Sequence, residues 1–440
     1  MTPAAARRVR VLSIHEDYRC RHAGACCTSG WAIPVEPETE ERLRAALRSG
    51  SLRPAQPDGV GPEDTDPPLG LARESGPSDW CFRGVTGLPH GAGVILRTNG
   101  AGECVFLDPR RARSGSCTVH RDLGETALPS ACRHFPRVVT LTPLGVSVTL
   151  SHYCPTAAGL LFVTPRSSVT PGDEESAGSP NTHDPALRIV EAPPAFPAEW
   201  PWEGLDAREA LPPLLRPGVL MDWPSLERWE RFAVSVLAEE DRSPEAALDV
   251  LAAAAEKARR WTSPHGPFAP FFEGVLALSP QEPAPALSFR GPSVAPGDEE
   301  SAGAGMTGAW QLVADCVPRG AALPPTPEGL GAAAEQWMAP AWPALALPIR
   351  RWLAAKAFAS WVALQGQGLR TTVAFLHVAL GVLRAEAARA SSEAGRPVDA
   401  ALLQEAVRRA DLLLVHLADP EALARRLSRG EAAEGPTAAW

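Results

Sequence analysis

The chain has 440 residues and 45% hydrophobic content, enough for two or three domains with a sizeable core, which excludes a fully disordered polypeptide. Its 42 basic against 51 acidic residues give a formal net charge of -9, so no overall field draws nucleic acid or an anionic membrane, and no polybasic run supplies a local one. The 46 prolines, about twice the usual share, cut the chain into short elements and leave room for few long helices.

At the amino end Arg7, Arg8 and Arg10 are followed by no apolar stretch of signal-peptide length, and no later segment reads as the roughly 18 apolar residues of a membrane span. The expectation is a cytoplasmic protein. Arg8 to Ile14 alternates weakly as a strand, and Pro37 to Arg48 reads as a helix with proline and acids in its first turn. A Pro/Gly-rich span follows from Gly50 to Asp79. Two hairpins are expected: Val94–Arg97 with Cys104–Leu107 around Thr98-Asn99-Gly100, and Arg137–Thr142 with Val146–His152 around Pro143-Leu144-Gly145.

Two near-copies of one acidic segment, Ser168–Gly178 and Ser293–Gly303, carry no apolar stripe and read as disordered linker or insert rather than as a solenoid repeat. The second half is helical. Helices are expected at Pro224–Leu237, Pro244–Trp261 (capped by Ser243), Pro348–Leu364, Leu369–Ala390, Pro397–Leu417 and Pro420–Leu427. The predicted fold is α+β: a small cysteine-cluster domain of short strands, hairpins and helices over 1–165, an acidic linker over 166–198, and a helical bundle over 199–440 with a disordered insert near 280–308.

Eight of the nine cysteines lie in the first 154 residues, whereas eleven of the thirteen tryptophans lie beyond residue 199. In a reducing compartment such clustered thiols are more often metal ligands than disulfides. Cys20, Cys26, Cys27, Cys104, Cys117, Cys132 and Cys154 are the candidate ligands, gathered by tertiary structure because their gaps exceed those of a compact zinc finger. Cys81 and Cys316 belong to no regular series and are read as non-ligands. The thiol surplus favours an iron-sulfur cluster over zinc, with histidine ligation left open. Adjacent Cys26 and Cys27 would point opposite ways in a strand, so a turn must bend both toward one centre, or one packs in the core. The rival reading, a set of buried free thiols, leaves the clustering unexplained.

Tyr18-Arg19-Cys20, Cys26-Cys27-Thr28-Ser29-Gly30-Trp31, Gly102-Glu103-Cys104-Val105-Phe106-Leu107, Cys117-Thr118-Val119-His120, Cys132-Arg133-His134-Phe135-Pro136-Arg137 and Cys154-Pro155 together resemble the cysteine-cluster domain of flagellin lysine N-methylases (FliB type) and the broader YkgJ-type proteins. The resemblance covers about residues 10–160; the C-x5-CC opening and the Gly50–Asp79 span depart from it. It implies an iron- or zinc-chelating domain and, in the methylase branch, an iron-sulfur protein that transfers a methyl group from S-adenosylmethionine to a lysine of a protein substrate.

Arg133 and Arg137 flank Phe135-Pro136 beside a candidate ligand and are suited to hydrogen-bond a thiolate sulfur, with a structural ion pair as the alternative. Tyr18 and Tyr153, the only tyrosines, stand beside cluster cysteines, where a phenol could accept a lysine proton, although packing is the commoner use of the ring. His120 and His134 are more often second-sphere or surface groups than ligands at this spacing. His377 reads as packing, and the tryptophans of the second half as core rather than as a substrate groove. No dinucleotide, Walker, nucleophile-elbow or zincin motif is present, nor the C-x3-C-x2-C arrangement of radical enzymes. Two functions follow as expectations: a metal-cluster protein-lysine N-methyltransferase, or a non-catalytic zinc- or iron-chelating or redox-sensing protein.

Overall fold

The computed structural model describes residues 8–21, 23–29, 31–55, 80–86, 91–99, 102–108, 117–163, 187–191, 202–278, 300–318, 323, 325–326 and 329–428. The Ser168–Gly178 segment and most of the 50–79 span lie outside them. The strands are β1 (Val9–Leu12), β2 (Pro34–Val35), β3 (Phe82–Gly84), β4 (Val94–Leu96), β5 (Arg137–Thr142), β6 (Gly145–Leu150), β7 (Ile189–Glu191), β8 (Leu205–Asp206), β9 (Leu214–Arg216) and β10 (Val219–Leu220). The helices of the cysteine half are α1 (Pro37–Ser49), α2 (Thr118–Leu123), α3 (Ser130–His134) and α4 (Pro155–Leu160). Those that follow are α5 (Trp223–Ala238), α6 (Pro244–Arg259), α7 (Phe268–Leu278), α8 (Glu300–Ala314), α9 (Leu330–Ala333), α10 (Ala346–Ala357), α11 (Trp361–Gln365), α12 (Leu369–Ala394), α13 (Ala400–Asp411) and α14 (Pro420–Leu427). The class is mixed α+β, with small sheets and many helices.

The larger sheet has the order β7-β1-β6-β5-β8. The expected hairpin of β5 and β6 forms, Thr142 pairing with Gly145 across its turn. Gly145 has φ 138°, and a Cβ there would run into the carbonyl of Arg8, so β1 and β6 approach as closely as they do because this residue has no side chain. One face of the sheet is apolar, with Val11, Val139, Leu141, Val146 and Val148 buried together. The other carries hydroxyls and charge. Thr140 donates to the Ala359 carbonyl at 3.0 Å and Thr149 to that of Ala355 at 3.2 Å, which satisfies acceptors at the end of α10 that have no partner within the helix. Arg10 joins Ser147 to the buried Glu230 of α5 on the same face.

This sheet crosses the domain boundary expected at residue 165. Strand β7 lies within the 166–198 segment read as linker and pairs with β1, while β8, from beyond it, pairs with β5. The smaller sheet, β2-β4-β3, corrects the first expected hairpin. Cys104–Leu107 forms no strand: Val105 N–H does reach Arg97 of the expected partner at 3.1 Å, but Cys104 N–H donates to Cys27 at 2.7 Å and Leu107 N–H turns back to Cys104 at 2.9 Å. Only an isolated bridge joins Thr98 to Cys104.

The helical core is built around the 26-residue α12, against which α6, α8, α10 and α13 pack. By length and composition α12 is the one helix among the described residues apolar enough to cross a membrane, and 78% of its apolar window is buried inside the fold, as befits a core helix. Trp229, Trp310 and Trp352 are buried core side chains rather than the lining of a groove. Aspartate and serine caps followed by proline open α5, α6 and α14.

Three expectations for this half are corrected. The insert near 280–308 is helical from Glu300 onward, where α8 brings Met306 and Trp310 into the core. The helix expected over Pro348–Leu364 breaks, with Ala359 in the left-handed region at φ 56°. Glu230 accepts the Ala359 N–H and Thr140 donates to its carbonyl, so tertiary hydrogen bonds hold the break open. The segment over Pro397–Leu417 begins as α13 and ends as a π-helical turn, Leu412–Leu417.

Candidate metal centre

Cys26 and Cys27 lie in a single 3₁₀ turn, Ala25–Cys27, entered through Gly24 at φ 75°. The turn answers the question posed by the adjacent pair: neither extends as in a strand, and the two sulfurs stand 3.9 Å apart. Cys104 is fixed to this turn through the bond from its N–H to the Cys27 carbonyl. Cys117 starts α2 and is held by a bridge to Leu107 and by the Thr118 N–H on Phe106. Cys132 sits in α3, its charge interacting with Cys26, Cys104 and Cys117. These five thiols share one apolar pocket with Ile33, Val35, Leu43, Phe82 and Phe106.

Within it, side-chain hydrogen bonds from Cys104, Cys117 and Cys26 push the Cys27 thiol well above its ordinary range, and burial adds to the rise. Cys117 moves the other way, to about 7, through its hydrogen bond with Cys27 and, against burial, the backbone N–H groups of His120 and Val119. Burial first, and then the neighbouring sulfurs, raise Cys132.

The donor set fits a thiolate-bound metal in kind and in number. Two sulfurs on one tetrahedral ion, each about 2.3 Å from it, would be separated by about 3.8 Å, close to the Cys26–Cys27 distance. Among the described residues, however, no group of three or more His, Cys, Asp or Glu side chains could hold a metal ion as posed. The thiols share protons with one another; ligation requires them to lose those protons and turn.

Cys20 and Cys154 stand with Tyr18 instead. The Tyr18 hydroxyl is 3.6 Å from the Cys154 sulfur, Cys154 packs with Leu150 and Ala157, and Cys20 is exposed. The Arg137 guanidinium lies 5.7 Å over the Tyr18 ring and its Nη1 donates to the Arg133 carbonyl. Burial pushes the Tyr18 phenol upward, so it stays protonated at neutral pH. Tyr153 is raised for the same reason and donates to the Thr28 carbonyl at 2.9 Å. Neither tyrosine is poised as a base. His134 is turned toward the backbone, its Nδ1 2.9 Å from the Ser130 carbonyl, while His120 is half-buried on α2 and Arg133 half-buried on α3. Cys81 is buried beside Cys104 and pushed up to about 12, and Cys316 is buried in the helical core, its thiol donating to Leu312.

Two features escaped sequence reasoning. An aromatic layer of Trp31, Phe135 and Tyr153 surrounds His416, whose ring centroid is 4.5 Å from Trp31 and 5.8 Å from the other two. The π-helical turn delivers His416 here, its Nε2 is 2.6 Å from the Ser151 hydroxyl, and burial lowers its pKa to about 3. Behind it lies a wholly buried network. Asp411 accepts from Trp352 Nε1 at 2.9 Å and from the His152 N–H at 2.6 Å, and lies 2.7 Å from Lys356 Nζ; the rings of His152 and His15 meet at 3.2 Å. The only available signal was that Lys356 is one of two lysines among 42 basic residues.

Comparison of the chain with protein-family models, with curated proteins and with solved structures finds no match.

Proposed function

We propose that the protein carries a thiolate-bound metal centre, an iron-sulfur cluster in preference to zinc, and uses it as a protein-lysine N-methyltransferase with S-adenosylmethionine as methyl donor. The observation that supports the metal reading is the gathering of Cys26, Cys27, Cys104, Cys117 and Cys132, buried or half-buried, around one apolar cluster from four separate stretches of chain. Bringing thiols together from distant positions costs loop-closure entropy, which metal ligation would help to offset. A cluster supplies redox or Lewis-acid chemistry when bound. The chain's own part is to hold five sulfurs in an apolar shell that limits water, with the N–H groups at the start of α2 favouring the thiolate of Cys117. A reducing compartment such as the cytoplasm suits free thiols in this number.

The methyltransferase part rests on the resemblance in the Cys26–Trp31 and Cys132–Arg137 segments. A second reading, a non-catalytic metal-chelating or redox-sensing protein, is favoured by one observation: both tyrosines beside the cysteines are held protonated by burial.

The test begins with anaerobic purification. An iron-sulfur protein is brown and yields acid-labile sulfide, whereas a zinc protein is colourless. Cys27→Ser or Cys132→Ser should lose the metal and Cys316→Ser should keep it; full metal content in the first two overturns the ligand assignment. Labelled S-adenosylmethionine with host lysate, followed by mass spectrometry of lysines, then decides between the readings, since no metal-dependent label leaves only the second.

A further inference from the structure

A cleft of about 470 Å³ opens where the β2-β4-β3 sheet meets the π-helical turn; its lining includes Trp31, Arg83, Arg97, Thr98, His416 and Leu417. It is of small-molecule size and its walls come from both halves of the chain, where such sites commonly form. Thr98 bridges to Cys104, so the cleft backs onto the thiol pocket without being part of it.

Its charges are unbalanced. Arg97 uses Nε on the Phe82 carbonyl at 3.0 Å, which leaves its two terminal amino groups, and Arg83 is exposed at the sheet edge. Among the described residues neither guanidinium has an ion-pair partner. Trp31 lines the same cleft, and its indole N–H is buried and makes no hydrogen bond among the described residues. His416 is neutral, and among the described residues no carboxylate lines the cleft to oppose an anion. A protonated amine would meet two guanidiniums and is disfavoured by the same account.

We propose that this cleft binds a small molecule bearing a carboxylate or phosphate on a flat, partly apolar body, with Arg83 and Arg97 taking the anion and Trp31 the flat body. The inference uses none of the thiol chemistry, so it stands or falls separately from the metal reading.

Calorimetric titration of the reduced full chain tests it with four probes: adenosine monophosphate, adenosine-5′-carboxylate, adenosine and inorganic phosphate. At least one of the first two should bind about tenfold more tightly than adenosine or phosphate alone, since each joins a ring to an anion. Binding of the first alone assigns a phosphate, of the second alone a carboxylate, and of both the shared anion. Arg83→Gln, at an exposed position that the fold does not need, should weaken the bound probe about tenfold, as should Arg97→Gln, whereas Arg231→Gln on the far helix α5 should not. Absence of binding by all probes at about 1 mM, or wild-type affinity in both arginine variants, overturns the proposal.

Discussion

Replacing Asp411 by asparagine removes one charge from a fully buried polar site. In the native chain the carboxylate serves the Lys356 ammonium, the Trp352 indole N–H and the His152 backbone N–H, and both Lys356 and Asp411 are buried. Asparagine offers one acceptor oxygen and an unwanted donor, so at least one partner is orphaned and the ammonium is left without a counter-charge. Breaking a buried pair in this way costs about 3–5 kcal/mol. The loss has a pH signature. Burial already lowers the Lys356 pKa, and Asp411 is what opposes that shift, so Asp411→Asn lowers it further. A lysine whose folded pKa is below its unfolded value of about 10.4 destabilises fully below the folded pKa, and the penalty shrinks as pH rises toward the unfolded one. The deficit relative to wild type should therefore narrow between pH 7 and pH 9, by up to about 1.4 kcal/mol per unit within that window. Urea unfolding at both pH values, followed by tryptophan fluorescence, measures it. Adding Lys356→Met to Asp411→Asn should recover part of the loss, because no charge then remains to be buried. A loss under about 1 kcal/mol at pH 7, or a deficit that widens as pH rises, refutes the reasoning.

Gly145→Ala should lower stability by about 2–3 kcal/mol by forcing β1 from β6, and an unchanged melting midpoint would refute the close-approach argument. His416, with its folded pKa of about 3 against about 6.5 unfolded, contributes stability that is present above the unfolded value and lost as pH falls toward the folded one. His416→Gln, which can keep the Ser151 contact, should flatten the decline in melting midpoint between about pH 6.5 and pH 4; coincident profiles would remove His416 as a source of acid sensitivity. In thiol labelling of the native chain, Cys20 should react first and Cys81 and Cys316 last, because only Cys20 is exposed; peptide mass spectrometry reads the order, and early labelling of Cys316 contradicts the packing of the helical core.

Local chemistry made parts of this structure legible in advance. The β5–β6 hairpin follows from alternation around Pro143-Leu144-Gly145, and the start of α6 from the Ser243 cap followed by proline. The clustering of cysteines pointed to a common pocket, and five of the seven named thiols share one, while Cys20 and Cys154 are drawn to Tyr18. Long-range bonds decided the rest. Cys104–Leu107 has strand-like composition but gives its amides to Cys27, Arg97 and its own turn. Ala359 interrupts a helical pattern because Glu230 and Thr140, both distant in sequence, hold its backbone. His416 is hidden in the apolar run Leu412–Leu417, where the change from α- to π-helical pitch, invisible to a 3.6-residue period, sets which way it faces.

The placement of β1 between β6 and β7 bears on how the polypeptide is made. A ribosome releases Val9–Leu12 early, yet its neighbours are at Gly145–Leu150 and Ile189–Glu191, so the segment waits with both sides bare until Gly145–Leu150 is made and with one side bare until Ile189–Glu191. A fragment cut after residue 165 would keep β6 but expose β1 where β7 belongs and β5 where β8 belongs. Expressed alone, that fragment should aggregate edge to edge, and a version extended through Asp206 should not.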